Sequence, residues 1–88
     1  MSEKVRFEEK EMMETSANWP NWPFLPIKKS DPKGGMPDCA VLYDDAGYST
    51  TVFKINMWDI KTRNDLLRSE KIKYNSIDEL LDAGWVVD

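Results

Sequence analysis

The most regular pattern of hydrophobic and polar positions lies at residues 76–87. The segment SIDE (76–79) matches a capping box, in which the serine hydroxyl and the glutamate carboxylate each accept a hydrogen bond from the other residue's backbone N–H. The apolar residues that follow fall on one helical face, and Gly84 stands where a helix commonly ends with a positive φ. The pattern predicts a helix over 77–83 and a strand at 85–87.

A second pattern predicts a β-hairpin in the middle of the chain. Residues 39–43 (CAVLY) form an apolar run, and residues 49–58 (STTVFKINMW) alternate between the two faces of a strand. The sequence DDAG between the two runs is typical of a turn. We expect the chain to reverse near residues 46–47, which would place Asp38 opposite a position near Ile55.

Three shorter segments add to the predicted fold. Residues 62–68 (TRNDLLR) predict one or two helical turns, with Thr62 as the N-cap and Asp65 three residues later. Residues 71–75 (KIKYN) alternate again and predict a strand. Residues 8–15 have a helix-forming composition without a continuous apolar stripe, which favours a short helix or a frayed arm that becomes ordered on docking.

Residues 19–37 contain all five prolines of the chain, in the sequence WPNWPFLPIKKSDPKGGMP. Because proline fixes its own φ and pushes the preceding residue toward extended conformations, this segment cannot be a regular helix. We expect it to run extended, with residues 25–27 as an edge strand, where the missing N–H of Pro26 is tolerated.

Together these elements predict an α+β fold: a small antiparallel sheet of three to five strands, a short C-terminal helix and an extended Pro/Trp-rich N-terminal segment. We expect residues 1–18 to form an acidic helical or flexible arm and residues 19–88 to form a single small domain. A chain of 88 residues buries only about 60–65% of its unfolded surface, so its core is thin.

The charge balance disfavours nucleic-acid and membrane partners. The net charge of −4 divides into −2 for residues 1–18, +2 for 19–37 and −4 for 38–88. The sequence therefore has no basic stripe that could neutralise a run of phosphates. No apolar run approaches the roughly 18 residues of a membrane span. One cysteine and no histidine exclude an internal disulfide and His-dependent catalysis, and they favour a reducing cytoplasm.

Pro37-Asp38 resembles the start of the metal-binding motif of the PD-(D/E)xK nucleases, and Asp59-Ile60-Lys61 resembles its second part. Such a site needs two carboxylates close together to bind Mg²⁺. In the predicted hairpin, Asp59 lies about four residues, or roughly 13 Å, beyond the position opposite Asp38. We therefore predict no catalytic residue, no metal site and no cofactor, and we keep a reduced nuclease-like domain as an alternative.

Other reactive or charged residues have structural interpretations that we favour. Cys39 precedes an apolar run and is expected to be a buried small hydrophobe. Asp44 and Asp45 are expected to be solvated turn residues. Lys28 to Gly35 lack the spacing of a phosphate-binding loop and are expected to form a solvated turn.

Aromatic residues are the remaining unusual feature, with tryptophans at Trp19, Trp22, Trp58 and Trp85. Tryptophan beside proline on an extended backbone forms a rigid surface, and binding hot spots are enriched in tryptophan. We select Trp19, Trp22 and Phe24 as the candidate residues for binding a protein partner. The alternative is that these side chains wrap over the sheet and complete a small core.

The layout of the chain resembles short proteins of unknown function that bacteriophages and prophages encode. The segments WPNWPFLPIKK and SIDELLDAGWVVD carry this resemblance. It implies a small accessory protein that acts in the host cytoplasm by binding a host factor, and it supplies no catalytic residue.

We therefore predict a non-enzymatic interaction protein that binds and modulates a protein partner, with its acidic N-terminal arm in support. Three alternatives stay open: a nuclease-like or nucleic-acid-directed domain, an acidic mimic of DNA, and a homodimer or larger homo-oligomer that pairs through an exposed strand edge.

Overall fold

A single antiparallel sheet organises residues 2–45 and 47–88, the part of the chain that the computed structural model describes. Within these residues five strands and three α-helices are present, which confirms the α+β class and the small antiparallel sheet. The helices are α1 (Glu3–Glu14), α2 (Arg63–Arg68) and α3 (Ile77–Asp82), and the strands are β1 (Phe24–Lys29), β2 (Asp38–Tyr43), β3 (Thr51–Phe53), β4 (Lys71–Lys73) and β5 (Trp85–Val87).

Strand β1 lies inside the sheet, so the expectation of an edge strand at 25–27 is wrong. The strand order is β4-β3-β2-β1-β5, and β1 pairs with both β2 and β5. The Pro26 carbonyl accepts a hydrogen bond from the N–H of Asp88 at 3.0 Å. In an antiparallel sheet, the N–H and C=O of one residue point toward the same neighbouring strand. The position of the missing Pro26 N–H therefore also faces Asp88. Asp88 is exposed, so water can donate to the Asp88 carbonyl, which has no N–H opposite it on Pro26.

The β2–β3 hairpin forms, but its second strand is shorter than predicted. Val41 pairs with Phe53, which is one position from the expected register. Strand β3 ends at Phe53, because the Asn56 side chain accepts a hydrogen bond from the N–H of Trp58 at 3.1 Å and begins a 3₁₀ turn at Met57–Asp59. Of the expected reversal at residues 46–47, Ala46 lies outside the described residues, and Gly47 has φ +87°.

Both faces of the sheet carry apolar clusters, because consecutive strand residues point to opposite sides. Helices α1 and α3 cover the first face, and α2 covers part of the second. The first cluster is built around Met13, Trp19, Leu25, Ile27, Leu42, Val52, Leu80, Leu81 and Trp85. The second is smaller and is built around Val41, Phe53 and Leu66.

Local capping signals set the ends of α2 and α3. The predicted capping box of α2 is confirmed, with Thr62 and Asp65 each accepting a hydrogen bond from the other's backbone. At α3 the Ser76 hydroxyl accepts from the N–H of Glu79 as predicted. The Glu79 carboxylate, however, accepts from the N–H of Asn75 at 2.7 Å, one residue before the expected donor. Gly84 has φ +103°, as expected where α3 ends.

Helix α1 begins five residues earlier than the segment predicted from composition, since the Ser2 hydroxyl caps it by accepting from the N–H of Val5. It packs on α3 and β5, and the carboxylate of Glu9 accepts a hydrogen bond from the outward N–H of Val87 at 2.7 Å. Whether residues 1–18 form an arm separate from a domain at 19–88 stays a prediction.

The Pro/Trp-rich segment does not run extended throughout. A 3₁₀ turn at Ser16–Asn18 precedes it, and a tight turn brings Asn21 into a bridge with Phe24 before β1 begins. The Trp22–Pro23 peptide bond in this turn is cis. The two Trp-Pro dipeptides therefore lie in a turn between α1 and the sheet.

Candidate functional site

Trp22 is an exposed tryptophan that is fixed in place by a hydrogen bond. The residue is 62% exposed, and its indole Nε1 donates to Oδ2 of Asp44 at 2.7 Å. The N–H of Asp44 donates in turn to the carbonyl of Pro23 at 2.9 Å. Two hydrogen bonds thus join the turn that carries Trp22 to the end of β2.

The other two candidate binding residues have different surroundings. Trp19 is only 7% exposed and is part of the first core cluster, so it presents little of its side chain to a partner. Phe24 is half-buried on the second face, where its ring stacks on Tyr43 with the centroids 5.3 Å apart. Of the three residues, Trp22 alone presents most of its side chain to solvent.

A cleft of about 430 Å³ lies between α1, the start of α3 and the segment after β2. Its floor includes the buried side chains of Met13, Trp19 and Ile77. Asp44, the residue that binds the Trp22 indole, also lines it. Trp22 therefore stands beside this cleft, which we call the Trp22 cleft.

Acidic side chains predominate among the charged residues of the Trp22 cleft. Glu14, Asp44 and Asp78 line it, with Lys10 as the cation. The Lys10 Nζ lies 2.9 Å from Oδ2 of Asp78. This hydrogen bond lowers the pKa of Asp78 and raises the pKa of Lys10. Lys10 is thus already paired, and the opening of the cleft is negative.

A second groove, of about 480 Å³, lies on the opposite face of the sheet beside β1 and β2. Pro26, Cys39 and Trp58 line it, and Trp58 is 82% exposed. The expectation that Cys39 is buried is wrong, because α2 covers this face at Val41 but leaves it open at Cys39. The exposure of Trp58 was missed because the alternating pattern at 49–58 placed it on a strand.

The two parts of the nuclease-like motif lie on different elements. Asp38 begins β2 and pairs with Lys29 of β1, whereas Asp59 lies in the 3₁₀ turn at Met57–Asp59. Within the described part of the chain, no three Cys, Asp or Glu side chains form a group that could hold a metal ion. The turn residue Asp45 binds Arg63 at 2.9 Å instead of being only solvated.

Comparisons of the chain with protein-family models, with curated protein sequences and with solved structures give no match. Across the residues that the structure describes, none of the helices is both long enough and apolar enough to cross a bilayer.

Proposed function

We propose that the chain is a small non-enzymatic interaction protein that binds and modulates a host protein in the cytoplasm, as a phage-type accessory protein does. The observation that carries this proposal is the exposed Trp22 beside the Trp22 cleft. A hydrogen bond of 2.7 Å from its indole Nε1 to Oδ2 of Asp44 fixes the orientation of its ring.

A fixed aromatic side chain is well suited to binding a protein. Tryptophan offers a large apolar area with few rotatable bonds, so little conformational entropy is lost when it is covered. The hydrogen bond to Asp44 reduces that loss further, because the indole is oriented before the partner arrives. The apolar floor of the cleft can receive a side chain from the partner, as hot-spot pockets do.

The polar groups of the cleft support binding more than catalysis. A general acid or base needs a proton that it can exchange with a substrate. The Asp78 carboxylate accepts from Lys10, and the Asp44 carboxylate accepts from the Trp22 indole. Two of the three carboxylates that line the cleft are thus engaged in contacts that maintain the shape of the surface.

The test is affinity capture from an extract of the host, with the unmodified chain, Trp22→Ala and Trp58→Ala as baits. Trp58 is the matched control, because it is also exposed but lies on the opposite face. We expect the unmodified chain and Trp58→Ala to capture one protein in stoichiometric amount and Trp22→Ala to fail to capture it. NMR spectra should show that both variants are folded. Equal capture by all three baits would contradict the proposed surface, and no captured protein would contradict the proposed function.

A further inference from the structure

Two of the three basic residues of helix α1 face α3, whereas most of its acidic residues face solvent. Arg6 contacts Asp82 at 2.8 Å and Lys10 contacts Asp78 at 2.9 Å, so these cations face α3. Four glutamates on the exposed side form no ion pair with any described residue: Glu3, Glu8, Glu11 and Glu14. Lys4 lies on the same exposed side and forms no ion pair with a described residue either. The exposed side of α1 therefore carries four carboxylates and one lysine, and its net charge is negative.

Phe7 lies in the middle of this acidic side and is 66% exposed. With 3.6 residues per turn, Phe7 shares a face with Glu11 and Glu14. A groove of about 430 Å³ runs along this face, lined by Phe7, Lys10, Glu11, Glu14 and Thr15. Lys10 and Glu14 also line the Trp22 cleft, so the groove is continuous with the proposed binding site. We call it the α1 groove.

We infer that the α1 groove binds a basic segment of the partner protein, with Phe7 as the apolar anchor and Glu11 and Glu14 as the carboxylates that meet its lysine or arginine side chains. This inference rests on the proposed function and specifies the chemistry of the partner. Charge complementarity selects this occupant, because four carboxylates against one lysine give the side of α1 that carries Phe7 a net negative charge, while Lys10 is paired with Asp78. The same charges would repel nucleic-acid phosphates and anionic lipid headgroups.

The experiment uses a defined probe: a fluorescent amphipathic peptide whose polar face carries only lysine and arginine. A counterpart with glutamate and aspartate at the same positions controls for apolar binding. Fluorescence anisotropy at low salt gives the Kd for the full chain and its variants. The key comparison is Glu11→Lys/Glu14→Lys against Asp59→Lys/Glu70→Lys, which changes the net charge equally at exposed positions outside the groove.

We expect the basic peptide to bind and the acidic peptide not to bind. Glu11→Lys/Glu14→Lys should weaken binding about tenfold or more, and the control pair less than about threefold, since exposed charges act mainly at short range. Phe7→Ala should weaken binding about fivefold or more, as loss of an anchor does. Met36→Ala removes another exposed apolar side chain, outside the α1 groove, and should leave the Kd unchanged.

Equal weakening by the two double variants, or an unchanged Kd for Phe7→Ala, would overturn the inference, because binding would then reflect net charge alone. The capture experiment separates the two proposals. In one outcome, the Trp22→Ala bait fails to capture a partner that the Glu11→Lys/Glu14→Lys bait still captures. That result would support the proposed function and contradict the inference that the α1 groove binds a basic segment.

Discussion

The indole Nε1 of Trp19 donates a hydrogen bond to the main-chain carbonyl of Met12 at 2.7 Å. Met12 lies in the last turn of α1, where carbonyl groups have no partner within the helix. The buried Trp19 ring thus satisfies one of these carbonyls while it packs in the core cluster beside Met13. One side chain therefore joins the end of α1 to the sheet.

Trp19→Ala should lower the free energy of unfolding by about 3–5 kcal/mol, because it leaves a large cavity and an unpaired helix carbonyl. Trp58→Ala should change it by only about 0.5 kcal/mol, since that side chain is exposed. Urea denaturation followed by circular dichroism measures both values. Similar losses for the two variants would contradict the core position of Trp19.

The contact between α1 and α3 should weaken in acid. The hydrogen bond from Lys10 lowers the pKa of Asp78 in the folded chain. A carboxyl group with a lowered folded pKa stabilises the fold above its unfolded pKa, and this contribution is lost as the pH falls through the folded value. We expect the stabilisation from Asp78 to be complete near neutral pH and to be lost progressively as the pH falls below about 4.

An NMR titration of the Asp78 carboxyl group measures this pKa directly. Lys10→Met should return it toward the ordinary value of an aspartate. The pKa of Lys10 is raised by the same hydrogen bond, so its contribution is present below the ordinary lysine pKa and lost as the pH rises through the raised value. An Asp78 pKa that Lys10→Met leaves in place would contradict this assignment.

The N-caps of the two short helices should each contribute measurably to stability. Thr62→Ala and Ser76→Ala each remove a hydroxyl that accepts from the third residue of its helix, and each should cost about 1 kcal/mol. Ser30→Ala, at an exposed position outside the helices, is the control and should stay within about 0.5 kcal/mol. Chemical denaturation of the three variants tests the order.

Asp44 should control the mobility of Trp22 more than it controls stability. Asp44→Ala removes the acceptor of the indole N–H, so the Nε1 proton should exchange faster with water and partner binding should weaken. Asp44→Asn keeps an acceptor oxygen and should restore much of the protection. Heteronuclear NMR of the indole group checks this, and equal exchange in the two variants would show that the hydrogen bond does not order Trp22.

The elements predicted best from the sequence are those with local signals. Thr62 and Asp65 lie three residues apart, and Ser76 is followed directly by the apolar face of α3, so the information for each helix end is contained in a few residues. Gly84 is similar, because its positive φ depends on the helix that it ends. The strands at Lys71–Lys73 and Trp85–Val87 follow from the same kind of short pattern.

Features that depend on distant partners could not be predicted in this way. Trp19 and Trp22 are each followed by proline, yet Trp19 is buried against the end of α1 and Trp22 is exposed. Residues 25–27 were assigned to an edge because Pro26 gave no sign that β5 pairs beside it. The α1 groove was not predicted because the helix was expected over residues 8–15, which leaves out Phe7.

The position of β1 between β2 and β5 has a consequence for the order of events during synthesis. Strands β1 and β2 are synthesised early and are separated by a short loop, whereas β5 follows only after β3, α2, β4 and α3. Until then one side of β1 has no neighbour, and α1 lacks the helix on which it packs. The fold of the first half of the chain is therefore completed only when the last helix and the last strand have joined it.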